Sequence, residues 1–75
     1  MDKIHEQKYM FCRHELLLLV QAIDKEVLRL EYRLHKNGME TVTIVWLTES
    51  GEVYKPINVT ADSLAAMARD VLKYF

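Results

Sequence analysis

Residues 27–38 read Val-Leu-Arg-Leu-Glu-Tyr-Arg-Leu-His-Lys-Asn-Gly, and this stretch decides the fold. From Leu28 onward, apolar residues alternate with charged ones, and a period of two is typical of a strand with one buried face. Asn37-Gly38 follows, a strong hairpin signal because both residues tolerate positive φ in a type I′ turn. The stretch therefore predicts a first strand that begins at Val27 and turns back into a second strand.

The same segment allows a competing interpretation. A heptad-like stripe of good helix formers would continue the preceding helix to about Lys36. Its members are Leu16, Val20, Ile23, Val27, Leu30 and Leu34. Residues 26–36 are thus either a strand or a helical continuation, and the alternation favours the strand.

Two further strands are predicted downstream. Residues 41–48, Thr-Val-Thr-Ile-Val-Trp-Leu-Thr, are almost all β-branched or aromatic and form the most secure strand. Residues 49–51 suit a three-residue hairpin loop, and a third strand runs from Glu52 to Val59. Pro56 confines this strand to a sheet edge because proline cannot donate to the ladder. The predicted order is a meander, 1-2-3.

Two helices flank these strands. The first, residues 3–23, contains no Gly or Pro and has a core stripe made of Tyr9, Cys12, Leu16, Leu19, Val20 and Ile23. The second follows an N-cap at Thr60, with Asp62 in its first turn. Its apolar side consists of Leu64, Met67, Ala68, Val71, Leu72 and Phe75. Residues 1–75 are therefore predicted to form a single small α+β domain, a two-layer αβββα fold with two helices on one face of an antiparallel sheet.

Composition restricts the class of protein. Hydrophobic residues make up 51% and charged residues 28%, a balance typical of a folded globule. Cys12 stands alone, so no internal disulfide can form and a reducing, cytoplasmic location is expected. The longest apolar run, residues 16–20, is far shorter than the roughly 20 residues of a membrane span, so no membrane association is expected. The net charge of −1 is evenly spread, which makes nucleic acid an unlikely partner.

Loop lengths predict the strand register. A two-residue first loop and a three-residue second loop place Leu30 opposite Val45 on the core face. The opposite face then carries Arg29, Glu31, Arg33, His35, Val42, Ile44, Trp46, Tyr54, Pro56 and Asn58. In this register Trp46 lies directly between Arg29 and Tyr54, where cation–π and aromatic cross-strand contacts are possible.

No pattern in the sequence indicates catalysis, a metal, a cofactor or a small-molecule ligand. The histidines lack metal-ligand spacing, and Cys12 lies on the core stripe, where a thiol is ordinarily inert. Both glycines are used by hairpins. A small ribonuclease-like toxin is a minor alternative, with His35 beside Arg33 and Lys36 as acid/base and phosphate contact.

RNA binding is the other alternative. Trp46, Tyr54, Arg29 and Arg33 would form a stacking platform on the sheet. The αβββα order is similar to that of the double-stranded-RNA-binding domain, but only in topology. Such domains place lysines at the start of the second helix, which here reads Thr60-Ala61-Asp62-Ser63.

The leading hypothesis is a non-enzymatic protein-interaction module of microbial or phage accessory type that binds a second copy of itself or another protein. A second apolar line on the first helix, at Ile4, Phe11 and Leu18, has no predicted use inside a two-layer fold. The candidate partner-binding residues are Ile4, Phe11, Leu18, Arg29, Arg33, Ile44, Trp46 and Tyr54. The first strand is the sheet edge without proline, so it could pair with a copy of itself.

Overall fold

The computed structural model describes residues 2–75 and shows an α+β fold with one open antiparallel sheet in the order β1-β2-β3. The strands are β1 (Val27–Leu34), β2 (Glu40–Thr48) and β3 (Gly51–Asn58). The helices are α1 (Lys3–Arg13), α2 (Glu15–Ile23) and α3 (Leu64–Leu72), all packed on one face of the sheet. The predicted fold class is confirmed, and residues 27–34 are a strand rather than a helical continuation.

The predicted first helix is bent at His14, which separates α1 from α2. The His14 amide donates the last hydrogen bond of α1, to the Met10 carbonyl at 3.1 Å, and the His14 carbonyl accepts the first hydrogen bond of α2, from the Leu18 amide at 3.1 Å. His14 itself has φ −118° and ψ −87°, outside the helical region. The bend changes which side chains face the core. Leu19 and Ile23, predicted to be buried, are more than half exposed.

The first hairpin differs from the predicted type I′ turn. The His35 amide donates to the Met39 carbonyl at 2.8 Å, so the loop is the three residues 36–38. Gly38 has φ +88°, whereas Asn37 does not have a positive φ. A type I′ turn needs positive φ at both positions, so only a loop with one left-handed residue forms.

The second hairpin also differs from its prediction, by one residue in the other direction. Thr48 pairs with Gly51, which leaves a two-residue loop at positions 49–50 instead of a three-residue one. The Thr48 hydroxyl stabilises this turn, since it donates to the Gly51 carbonyl at 2.8 Å. Gly51 takes φ +110° as the first residue of β3.

Compared with the predicted sheet, these two loop lengths shift β2 by one residue against both β1 and β3. Leu30 pairs with Ile44, not with Val45, and Ile44 pairs with Lys55. Because side chains alternate with a period of two, a slip of one residue moves every side chain of β2 to the opposite face. Val42, Ile44 and Trp46 therefore face the helices. The prediction that they lie on the outer face is wrong.

A continuous core fills the space between the sheet and the helices. Its buried members are Cys12, Leu16, Val20, Val27, Leu30, Tyr32, Val42, Ile44, Ile57, Val59, Met67 and Val71. Every helix and strand contributes at least one side chain to this cluster, and Val59 contributes from the turn that follows β3. No part of the described chain therefore folds around a separate core. The apolar side predicted for the C-terminal helix is confirmed, since Met67 and Val71 are fully buried.

The C-terminal helix begins later than predicted. Ser63, not Thr60, is the N-cap, and its hydroxyl accepts a hydrogen bond from the Ala66 amide at 3.1 Å. The Thr60 hydroxyl instead accepts from the Glu40 amide at 2.9 Å, which ties the chain after β3 to the start of β2. Ala61 has φ +62° in this turn. The Thr60 side chain is therefore engaged in a tertiary hydrogen bond and does not cap α3.

A buried ion pair fixes α1 on the sheet. The Glu40 carboxylate accepts hydrogen bonds from Lys8 Nζ at 2.7 Å, from the Tyr32 hydroxyl at 2.5 Å and from the Ala61 amide at 2.9 Å. Burial raises the pKa of Glu40, but these hydrogen bonds outweigh burial and bring the pKa to about 2. The carboxylate is therefore ionised and joins α1, β1, β2 and the turn before α3.

Across residues 2–75, no helix combines the length and the apolar character that crossing a bilayer would require.

Candidate protein-interaction surface

The outer edge of β1 has no neighbouring strand. Because the His35 amide bonds to Met39, the alternation of an antiparallel ladder directs the peptide groups of Arg29, Glu31 and Arg33 toward β2. The intervening peptide groups point away from β2, and these belong to Leu30, Tyr32 and Leu34. Within residues 2–75, no backbone or side-chain group bonds to these three outward peptide groups. The edge thus offers three donors and three acceptors.

A groove of about 520 Å³ runs along this edge beneath the helices. Its helical wall is formed by Tyr9, Arg13 and Leu17, and its other wall is formed by residues 29–33. Arg13 is held in place, since its guanidinium donates to the Tyr9 hydroxyl at 2.8 Å and lies 5.4 Å from the centre of the Tyr9 ring. Tyr9 and Leu17 are only partly buried, so an added strand would find apolar surface above it.

The outer face of the sheet carries an ion-pair network next to this edge. Arg29 donates to Glu31 at 2.6 Å and to Glu52 at 3.1 Å, and the Tyr54 hydroxyl donates to Glu52 at 2.8 Å. The hydrogen bond from Arg29 lowers the pKa of Glu52, so this carboxylate is ionised. Beneath the network, Val45 is fully buried between Arg29 and Tyr54. The predicted neighbour at that position was Trp46, and the observed one is Val45.

Trp46 occupies the helical side of the sheet. Its indole Nε1 donates to Asp24 at 3.1 Å, and its ring centre lies 5.9 Å from that of Phe75. It is partly exposed in a shallow cleft of about 840 Å³ lined by Asp24, Glu26, Trp46, Leu47, Thr48, Glu49 and Val53. The RNA-stacking platform predicted from Trp46, Tyr54, Arg29 and Arg33 is not formed, because Trp46 and Tyr54 lie on opposite faces.

The predicted apolar line at Ile4, Phe11 and Leu18 does not form one surface. Phe11 packs against the core cluster, whereas Ile4 is 49% exposed and Leu18 is 68% exposed. The prediction that all three lack a use inside the fold is therefore wrong for Phe11. Ile44, another candidate, is fully buried beneath the helices and cannot contact a partner in this fold. Of the candidate residues, the structure brings Arg29, Arg33 and Tyr54 to the outer face.

The side chains considered for acid/base or metal-ligand chemistry do not converge on one site among the described residues. Burial raises the pKa of the Cys12 thiol to about 12, so the nucleophilic thiolate is not formed near neutral pH. His35 Nε2 lies 2.9 Å from the Thr41 hydroxyl and shares a shallow cavity of about 360 Å³ with Arg33, whereas Lys36 does not line that cavity. Within the described chain, no group of three His, Cys, Asp or Glu side chains could hold a metal ion.

Sequence reasoning missed the buried pair and the groove. Lys8 is in phase with Cys12 and Leu16 at a spacing of four, and Glu40 is in phase with Val42 on β2. A charged residue in phase with core positions in two separate elements is a signal for a buried ion pair. The groove residues Tyr9, Arg13 and Leu17 share a spacing of four as well, but only tertiary packing places them above β1.

The fold and its surfaces define a small α+β domain in which the unpaired sheet edge of β1 lies beside a groove. Comparisons of the chain with protein-family models, with curated proteins and with solved structures gave no match.

Proposed function

We propose that the chain is a non-enzymatic protein-interaction module that forms a homodimer through the free edge of β1. One observation carries the proposal: the outward peptide groups of Leu30, Tyr32 and Leu34 have no partner within residues 2–75, beside an open groove. A sheet edge of this kind is a template for another strand. Two copies of β1 placed antiparallel around a two-fold axis would satisfy both sets of peptide groups at once.

The groove supports the same conclusion. A strand added at the edge would enter the space bounded by the helices and would cover the partly buried side chains of Tyr9 and Leu17. Burial of apolar surface contributes about 25 cal/mol per Å² and adds to the backbone hydrogen bonds. Recognition by strand addition combines main-chain hydrogen bonds with side-chain pockets in this way.

The mass in solution and amide hydrogen exchange test the proposal together. We expect sedimentation to show a reversible shift to twice the subunit mass as concentration rises. Over the same range, the amides of Leu30, Tyr32 and Leu34 should gain protection. The amides of Glu31 and Arg33 are the internal control, because they already bond to β2 and should stay protected throughout.

Two results would contradict the proposal. A single subunit mass at several hundred micromolar would remove self-association. A dimeric mass with rapid exchange at all three edge amides would move the interface elsewhere on the molecule.

A further inference from the structure

We infer that two copies pair their β1 strands with Tyr32 opposite the partner's Tyr32, which places Glu31 opposite the partner's Arg33. This inference rests on the proposed function and specifies its register. Among the antiparallel registers open to the strand, it is the one that joins the free peptide groups, opposes unlike charges and stays within the regular part of β1.

The backbone limits the choice of register first. Only the peptide groups of Leu30, Tyr32 and Leu34 point out of the edge, so these even-numbered residues must face one another across the two-fold axis. With Tyr32 on the axis, Leu30 bonds to the partner's Leu34, and all three residues of each strand find a partner. Moving the axis by one residue, to Glu31 or to Arg33, gives the two neighbouring registers, in which even-numbered residues still face one another but the side-chain pairs change.

Charge selects among these registers. With Tyr32 on the axis, Glu31 faces the partner's Arg33 twice, once on each side of the axis. In the neighbouring register on one side, Glu31 would face its own copy and Arg29 would face the partner's Arg33. In the neighbouring register on the other side, Arg33 would face its own copy. Like charges directly opposite each other destabilise a strand pair, so both neighbouring registers are disfavoured.

The bulge in β1 excludes the next register with unlike charges. Placing Leu30 on the axis would oppose Arg29 and the partner's Glu31, but it would require Leu28 to pair with the partner's Tyr32. The ladder between β1 and β2 is irregular between Val27 and Arg29, so Leu28 lies in the distorted part of the strand. An irregular segment interrupts pairing at a sheet edge.

The ion pairs within one subunit leave Arg33 able to bind a carboxylate of the partner. Arg29 links Glu52 to Glu31 in a row of alternating signs. Arg33 is exposed and, among residues 2–75, makes no side-chain hydrogen bond or ion pair. In the inferred register the partner's Arg33 continues the row next to Glu31. These residues are non-hydrogen-bonded neighbours across the new pair, where side chains approach most closely.

Charge reversal tests the pair. Glu31→Arg and Arg33→Glu each create two like-charge contacts per dimer, and we expect each to raise the dimer dissociation constant about tenfold at low salt. The double variant Glu31→Arg/Arg33→Glu exchanges the two charges and should return the constant to within about threefold of the unsubstituted protein. Glu49→Arg, at the exposed tip of the second hairpin, makes the same charge change away from the edge and should leave it unaltered. A double variant as weak as the single variants overturns the inferred pair.

Disulfide trapping tests the register independently. Directly opposed non-hydrogen-bonded residues have Cα atoms about 4.5 Å apart, within the range of a disulfide. We expect oxidation of an equimolar mixture of Glu31→Cys and Arg33→Cys chains to give a cross-linked dimer, and oxidation of either variant alone to give none. Cross-linking of Glu31→Cys alone would overturn the register while leaving the β1 homodimer in place. A monomeric mass for the unsubstituted protein would remove both.

Discussion

Lys8 Nζ lies 2.7 Å from a carboxylate oxygen of Glu40, and both side chains are almost fully buried between α1 and the sheet. Thirty-two residues separate them in the chain. Their pairing holds α1 above β1, and α1 supplies part of the wall of the groove at the free edge. The proposed interface therefore depends on a buried ion pair that lies behind it.

Replacement of Lys8 by methionine should destabilise the fold by about 3–5 kcal/mol, because Glu40 would keep its charge without its buried counter-ion. The double variant Lys8→Met/Glu40→Gln should recover most of this loss, since a neutral amide can still accept from the Ala61 amide and needs no counter-ion. Denaturant unfolding followed by far-ultraviolet circular dichroism measures both. Additive losses in the double variant would show that the two side chains do not act as a pair.

Acid should destabilise the protein through the same carboxylate. The pKa of Glu40 is about 2 in the folded protein, below its ordinary value of 4.5. A lowered folded pKa contributes stability that is complete above the unfolded pKa and is lost as pH falls toward the folded one. We expect a loss of about 3 kcal/mol between pH 5 and pH 2. Unfolding free energies measured across this range should be flatter in Glu40→Gln, and an equally steep profile in that variant would contradict the assignment.

Gly38→Ala should destabilise the first hairpin by about 1 kcal/mol, because alanine disfavours positive φ. Gly38 has φ +88°, and an added Cβ would meet no atom within 4 Å, so the cost is conformational and not steric. Gly38→Asn is the matched control, since asparagine tolerates the left-handed region and should lose less. Thermal unfolding of the two variants compares them directly. Equal stability of Gly38→Ala and the unsubstituted protein would mean that residue 38 does not hold this conformation.

Much of the fold could be predicted from local patterns. The alternation in residues 27–34 and the β-branched run at 41–48 fix strands, because a period of two and stiff side chains suit a pleated surface. The spacing of four residues between Met67 and Val71 fixes the buried face of α3, because residues at that spacing lie on one side of a helix. Of the candidate surface, the absence of proline from the first strand identified an edge free for pairing, and the charges at 29, 31 and 33 were visible in the sequence.

The register could not be predicted in this way. Each hairpin contains a residue suited to a left-handed conformation, but whether one or two residues of a loop take it is settled by the fit of the flanking strands. The predicted length of each loop was wrong by one residue, so the predicted faces of β2 were exchanged and Trp46 was assigned to the wrong face of the sheet. The bend at His14 likewise places Leu18 on a different helix from Ile4 and Phe11, and the segment contains no proline or glycine that would predict a bend.

The sequence by itself determined the kind and order of the elements, because hydrophobic periodicity and turn-forming residues act within a few neighbours. The tertiary structure alone decided which faces meet. Contacts between distant parts of the chain place Ile44 and Trp46 under the helices. Such contacts also form the ion pair between Lys8 and Glu40 and place the unpaired edge of β1 beside its groove. Such contacts are selected by the packing of the whole core, which no local pattern contains.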